Sequence, residues 1–150
     1  MTVTPAQFAA LRAALTGDEE TFERLTAAAD FLNGEGFPVL VATAFVAAAR
    51  QRFPPGWSRG DVVRFVGHLR ARDGGAHEDL SATAAEQMLL SVLSEEPIAG
   101  EFNENAKGIA QVALLTELVS DLNEQDLSMF LAEVREQADA WLAQQVTSDQ

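Results

Sequence analysis

The sequence predicts an all-α fold, a single-domain bundle of about seven helices. Apolar residues recur at helical spacing in most segments, and no segment keeps the period-two alternation of a half-buried strand. Glycines and prolines, which end helices, recur along the chain. A chain of 150 residues suits one domain with its own core. We therefore expect a single helical domain over residues 1–145, followed by a frayed C-terminal tail at 146–150.

Two helices are expected near the N-terminus. In the first, over residues 4–16, Thr4 can cap the free N–H groups and Gln7 completes a capping box. Gly17 ends this helix. Acids then open a second helix, where the helix dipole favours negative charge, and its apolar stripe predicts an end near Leu32.

Residues 38–53 are expected to form a buried central helix. From Val39 to Ala49, only Thr43 is not apolar. A helix that is apolar nearly all round belongs in the middle of a bundle, with neighbours on several sides. The run is far shorter than the roughly 20 apolar residues of a membrane span. We therefore expect a core helix and no membrane contact.

A proline-stiffened corner at 54–56 separates this helix from the next one. Ser58 can cap the fourth helix, over 58–72, and Asp61 can reach back to complete a capping box. Trp57 precedes the cap, at the position of a hydrophobic staple.

Three further helices are expected at about 81–95, 104–121 and 124–145. The last has a regular apolar stripe, formed by Leu127, Phe130, Leu131, Val134, Ala138, Trp141 and Leu142. This stripe is wide enough to serve a second copy of the chain, so a homodimer is one open possibility.

Charge is unevenly distributed along the chain. The net charge is −13, yet residues 50–72 hold six arginines and a single acid, Asp61. Such asymmetry can mark a binding surface. The acidic majority repels polyanions, which argues against general binding of nucleic acids or anionic membranes.

The arginine-rich segment supplies the candidate site. Arg64, His68 and Arg72 are spaced i, i+4, i+8, so they share one stripe of the fourth helix. With Arg59 and Trp57 they form a predicted surface for a protein partner or an anion, because arginine and tryptophan often carry interface energy. The competing interpretation is that these arginines pair with acids of neighbouring helices and contribute little.

No pattern for catalysis, metal binding or cofactor binding is present. The chain has no cysteine, and it contains no HExxH, GxGxxG, GxxxxGK[ST] or GxSxG motif. We therefore expect no metal and no cofactor. An enzyme stays open, since catalytic residues outside a motif leave no trace in one sequence.

The sequence thus predicts a non-enzymatic protein-interaction module with an acidic surface and one arginine-rich face. One alternative is a small-ligand-binding domain that holds an apolar acid on Arg64 or Arg72. The other is a DNA-binding regulator that uses residues 58–72 as the second helix of a helix-turn-helix. The absence of cysteine fits the cytoplasm, and a basic set that is almost entirely arginine is typical of a high-GC bacterial genome.

Overall fold

The computed structural model describes residues 3–28, 36–71, 82–94 and 104–148, without the side chains of 104–110 and 145–148. These residues form seven α-helices and no strand, which confirms the predicted all-α class. The helices are α1 (Pro5–Thr16), α2 (Glu19–Thr26), α3 (Gly36–Arg52), α4 (Arg59–Ala71), α5 (Ala82–Leu93), α6 (Glu104–Leu118) and α7 (Glu124–Ser148).

The contacts of the chain divide it into two compact units. The terminal unit comprises residues 1–47 and 119–150, and the middle unit comprises residues 48–118. The terminal unit thus holds α1, α2, α7 and most of α3, whereas the middle unit holds the end of α3 with α4, α5 and α6. The predicted single domain with a C-terminal tail stays a prediction.

The second helix ends earlier than its apolar stripe predicts. α2 stops at Thr26, and a turn follows at Ala27 and Ala28. The Thr26 hydroxyl donates to the Phe22 carbonyl one turn back, at 2.9 Å. Such side-chain bonds compete with the backbone ladder and weaken a helix end. The remainder of the predicted helix, residues 29–32, lies outside the described residues.

α3 buries one face rather than its whole circumference. Its buried stripe is Leu40, Val41, Ala44, Phe45, Ala48 and Ala49. Pro38 and Ala42, beside this stripe near the start of the helix, are exposed, and Val39, Thr43, Val46 and Ala47 on the remaining side are half-buried. The helix is therefore apolar nearly all round in sequence but fully buried on one side only. None of the helices that the structure describes is both long and apolar enough to cross a membrane.

In the terminal unit, residues at the start of the chain contact α7 through a hydrogen bond and a cation–π interaction. The backbone N–H of Val3 donates to Oδ1 of Asp139 at 2.7 Å. The guanidinium of Arg135 lies over the ring of Phe8, 5.1 Å from its centroid. The largest fully buried apolar side chains of this unit are Val3, Leu11, Leu40, Leu131 and Leu142.

The buried capping box of α1 lies in the same unit. Gln7 is only 1% exposed, and its Oε1 accepts from the Thr4 backbone N–H at 3.0 Å. The Gln7 backbone N–H donates to the Thr4 hydroxyl at 3.1 Å. Gly36 lies against this glutamine, since a Cβ on Gly36 would stand 2.5 Å from Oε1. A side chain at residue 36 and the Gln7 side chain therefore compete for the same space.

The apolar stripe of α7 is buried except at one position. Trp141 keeps 43% of its surface exposed, although the other six predicted residues are buried. Tryptophan is so large that it is seldom covered completely. Met129, on another face, is 65% exposed. Both side chains add apolar surface to the outside of α7.

In the middle unit, α4 contacts both α5 and α6, and α5 contacts α6. The buried face of α4 is formed by Val62, Phe65, Val66 and Leu69. Val63, the neighbour of Val62 in the sequence, is 47% exposed. It lies about 100° from Val62 around the helix axis, beyond the edge of the covered face.

Candidate functional site

A tight turn at the end of α3 presents Trp57. The Trp57 backbone N–H donates to the Pro54 carbonyl at 3.2 Å, which closes a four-residue turn. Pro55 occupies the second position of this turn, and Gly56 occupies the third with φ of 103°. Proline followed by a glycine with positive φ is the signature of a type II turn. The sequence Pro-Pro-Gly therefore fixes where Trp57 leaves the corner.

Ser58 and Asp61 form the predicted capping box of α4. The Ser58 backbone N–H donates to Oδ2 of Asp61 at 2.9 Å, and the Asp61 backbone N–H donates to the Ser58 hydroxyl at 3.2 Å. The guanidinium of Arg64 donates to Oδ1 of the same carboxylate and forms an ion pair with it. The Asp61 carboxylate thus accepts from two donors, the Ser58 backbone N–H and the Arg64 guanidinium.

These donors stabilise the charged form of Asp61. The backbone N–H of Ser58 is the largest cause that holds the pKa of this carboxyl below its ordinary value of 3.8. Desolvation is the second-largest influence and raises the pKa, whereas the Ser58 and Arg64 side chains lower it further.

The turn and the first half of α4 border an open cavity of about 650 Å³, which we call the corner groove. All of its lining residues belong to the middle unit. Those that carry polar or aromatic chemistry are Arg52, Trp57, Asp61, Arg64, His68 and Glu117, with Phe53 and Phe65 alongside. The volume lies within the roughly 300–1,000 Å³ of ordinary ligand sites.

An aromatic pair supports one side of the corner groove. Phe53 and Phe65 are buried, and their rings meet edge to face with centroids 5.5 Å apart and planes at 79°. The guanidinium of Arg52 lies over the Phe65 ring, 5.8 Å from its centroid. This cation–π contact positions a surface cation against a fixed ring.

The predicted site residues have different outcomes in the structure. Trp57, Arg64 and His68 line the corner groove together. Arg59 does not line it, because it lies about 140° around the axis of α4 from Arg64. Arg72 lies outside the described residues. Whether any of these residues binds a partner stays a prediction.

The competing interpretation, that the arginines pair with acids of neighbouring helices, stays a prediction. Arg64 pairs with Asp61 on its own helix, and its side chain remains 70% exposed. An exposed ion pair of this kind contributes little stability. Arg52 has no ion pair with any residue that the structure describes. The guanidinium of Arg52 can therefore bind a ligand without first losing an ion pair to a described residue, whereas that of Arg64 cannot.

Several groove residues were not assigned to the site from the sequence, among them Arg52, Phe65 and Glu117. Arg52 entered the prediction only as one of six arginines in residues 50–72. The i, i+13 relation between Arg52 and Phe65 crosses a turn, so no helical periodicity reveals it. Glu117 comes from α6, whose packing beside α4 has no local signal in the sequence. The proline corner was the one available hint that the end of α3 faces the start of α4.

Neither a metal-binding cluster among the described residues nor a similar known protein identifies the site. Within the described ranges, no group of three or more histidine, aspartate or glutamate side chains could hold a metal ion. Comparison of the chain with protein-family models, with curated proteins and with solved structures finds no match.

Proposed function

We propose that this protein is a protein-interaction module and that the corner groove binds a short segment of a partner protein. The observation that carries this proposal is the combination of a half-buried tryptophan with arginine and histidine around an open cavity. Tryptophan and arginine are enriched among the residues that dominate binding energy at protein interfaces.

The shape of the groove favours a segment over an enclosed small molecule. Small-ligand pockets cover roughly 70–90% of their ligand, whereas the corner groove is partly open to solvent. From Asp61 to His68 the groove follows α4 for about 10 Å, at 1.5 Å per residue. About three residues of extended chain span that distance.

The charges of the groove count against the DNA-binding alternative. Two carboxylates, of Asp61 and Glu117, lie among the lining residues and would repel phosphates. Arg64 is already paired with one of them, and Arg59 points elsewhere. The cations of α4 thus do not form a continuous surface for a polyanion, and the net charge of −13 adds a general repulsion.

The proposed cellular setting rests on composition. A chain without cysteine suits a reducing compartment such as the cytoplasm, and its arginine-dominated basic set suits a bacterial source. A second copy of this chain is the competing partner, because Met129 and Trp141 leave apolar surface on α7.

Selection from a library of displayed random peptides on the full-length chain tests the proposal. We expect enriched peptides that lose binding to Trp57→Ala and keep binding to Trp141→Ala, which removes the same side chain outside the groove. Circular dichroism verifies that both variants stay helical. No enrichment, or peptides that need Trp141 instead of Trp57, would contradict the proposal.

Size-exclusion chromatography distinguishes binding of a partner segment from self-association. If the chain binds itself through α7, size-exclusion chromatography gives a dimer that Trp141→Ala converts to a monomer. Binding at the corner groove leaves the oligomeric state unchanged by that substitution.

A further inference from the structure

The corner groove contains hydrogen-bond donors that have no acceptor among the described protein atoms. No atom of the described residues accepts a hydrogen bond from the Arg52 guanidinium, the His68 ring or the Trp57 indole. Charge-assisted hydrogen bonds are roughly twice as strong as neutral ones, so such donors gain most from an anionic acceptor. The groove therefore favours a ligand that brings carboxylate oxygens.

The balance of charge limits how many carboxylates the ligand can bring. Arg64 and Asp61 neutralise each other as an ion pair, and Glu117, which has an interaction of its own, places a second carboxylate in the lining. Arg52 forms no ion pair with a carboxylate of the described residues. A run of acids would meet the two resident carboxylates at close range, whereas a single carboxylate can reach Arg52 alone.

On the basis of the proposed function, we propose a specific chemistry for the partner segment. It carries one carboxylate next to an aromatic or large aliphatic side chain. Arg52 binds the carboxylate, and Trp57 packs against the apolar side chain. The indole N–H of Trp57 and the ring of His68 supply further donors along the groove.

Arg52 is better prepared for this role than Arg64. Its guanidinium already lies over Phe65, whose ring is fixed against Phe53 in the interior of the middle unit. A cation that is held in place before binding loses less conformational freedom when it binds. Arg64 must instead give up its ion pair with Asp61 before it can bind a second carboxylate.

Fluorescence of Trp57 gives a direct readout. The chain has two tryptophans, so Trp141→Phe leaves Trp57 as the only indole. The probes are two capped peptides without tryptophan, one with the central sequence Phe-Asp and one with Phe-Asn. We expect a saturable change in emission with the Phe-Asp peptide, and binding at least about tenfold weaker with the Phe-Asn peptide.

Matched arginine variants test which cation binds the carboxylate. Arg50 and Arg52 are both exposed in the last turns of α3, but only Arg52 lines the groove. In the Trp141→Phe background, Arg52→Gln should weaken binding of the Phe-Asp peptide by about tenfold or more. Arg50→Gln should leave the affinity unchanged, and Arg64→Gln should change it by less than about threefold.

Four results would overturn the inference, and the first three concern the peptides. Those three are equal affinity for the Phe-Asp and Phe-Asn peptides, equal losses from Arg50→Gln and Arg52→Gln, and no binding of either peptide. In each case the proposed function survives if peptides selected from the random library still require Trp57. Binding of free 3-phenylpropionate as tightly as the Phe-Asp peptide also overturns the inference, in favour of a small apolar acid as the ligand.

Discussion

Two capping boxes in the described part of the chain have the same bonding pattern in opposite environments. In α1 of the terminal unit, Thr4 and Gln7 bond to each other reciprocally, and Gln7 is almost completely buried under Gly36. In α4 of the middle unit, Ser58 and Asp61 make the corresponding pair of bonds at the surface, beside an open groove.

Burial decides what each box contributes. The Gln7 side chain is 1% exposed, so its removal takes the acceptor from the Thr4 N–H and leaves a cavity, although Thr4 itself lies at the surface. The exposed box can exchange its bonds for bonds to water, and its carboxylate remains available to Arg64. We therefore expect the α1 box to govern stability and the α4 box to govern the electrostatics of the corner groove.

The largest effect is expected for Gln7→Ala. The substitution leaves a cavity and an unpaired Thr4 N–H, which together should lower the free energy of unfolding by about 2–3 kcal/mol. The matched change in the exposed box, Ser58→Ala, should cost about 1 kcal/mol or less. Urea unfolding monitored by circular dichroism measures both, and equal losses would remove the contrast between the boxes.

Gly36→Ala should come next, with a loss of about 1–2 kcal/mol from overpacking against the Gln7 amide. Its cause can be isolated with a double-mutant cycle. In the Gln7→Ala background the added methyl group finds space, so Gly36→Ala should become nearly neutral. Additive effects of the two substitutions would show that the close approach of Gly36 to Gln7 does not matter.

The pH dependence of stability should report the exposed box. The folded-state pKa of Asp61 is lowered, chiefly by the Ser58 backbone N–H, so its contribution is fully present above its ordinary pKa of 3.8. That contribution is lost as the pH falls through the lower, folded-state pKa. Asp61→Asn should therefore flatten the decline of the urea midpoint below about pH 4. An unchanged decline would contradict the assignment.

The smallest effect is expected for Gly67→Ala. Gly67 lies in the interior of α4, and a Cβ there would meet nothing within 4 Å. Alanine should therefore raise the free energy of unfolding by about 0.5–1 kcal/mol through helix propensity alone. It should not change peptide affinity, since Gly67 does not line the groove. A loss of stability would indicate a contact that the structure does not contain.

Local signals in the sequence were sufficient for the helices and both capping boxes. Caps, prolines and apolar periodicity act within a few residues, so they can be recognised in a single chain. The same signals placed Trp57, Arg64 and His68 near one another. Helical spacing also separates Arg59 from Arg64 by about 140°, but it could not indicate which side of α4 faces the groove, because that side is set by packing with α6.

The parts that could not be predicted depend on tertiary packing. Arg52 gains its position from Phe65, on the next helix, and Glu117 reaches the groove from α6. The burial of Gln7 depends on the approach of Gly36, far along the chain. In each case the decisive neighbour is remote in sequence, so no spacing rule relates the two residues.

The two indole N–H groups provide the most direct test of the account, because each reports one of the two units. Trp57 lies in the groove of the middle unit, and Trp141 lies on α7 of the terminal unit. In a proton–nitrogen correlation spectrum, the tightest peptide from the library should shift the Trp57 indole signal and leave the Trp141 signal in place. A shift of the Trp141 signal alone would contradict the assignment of the corner groove as the binding surface.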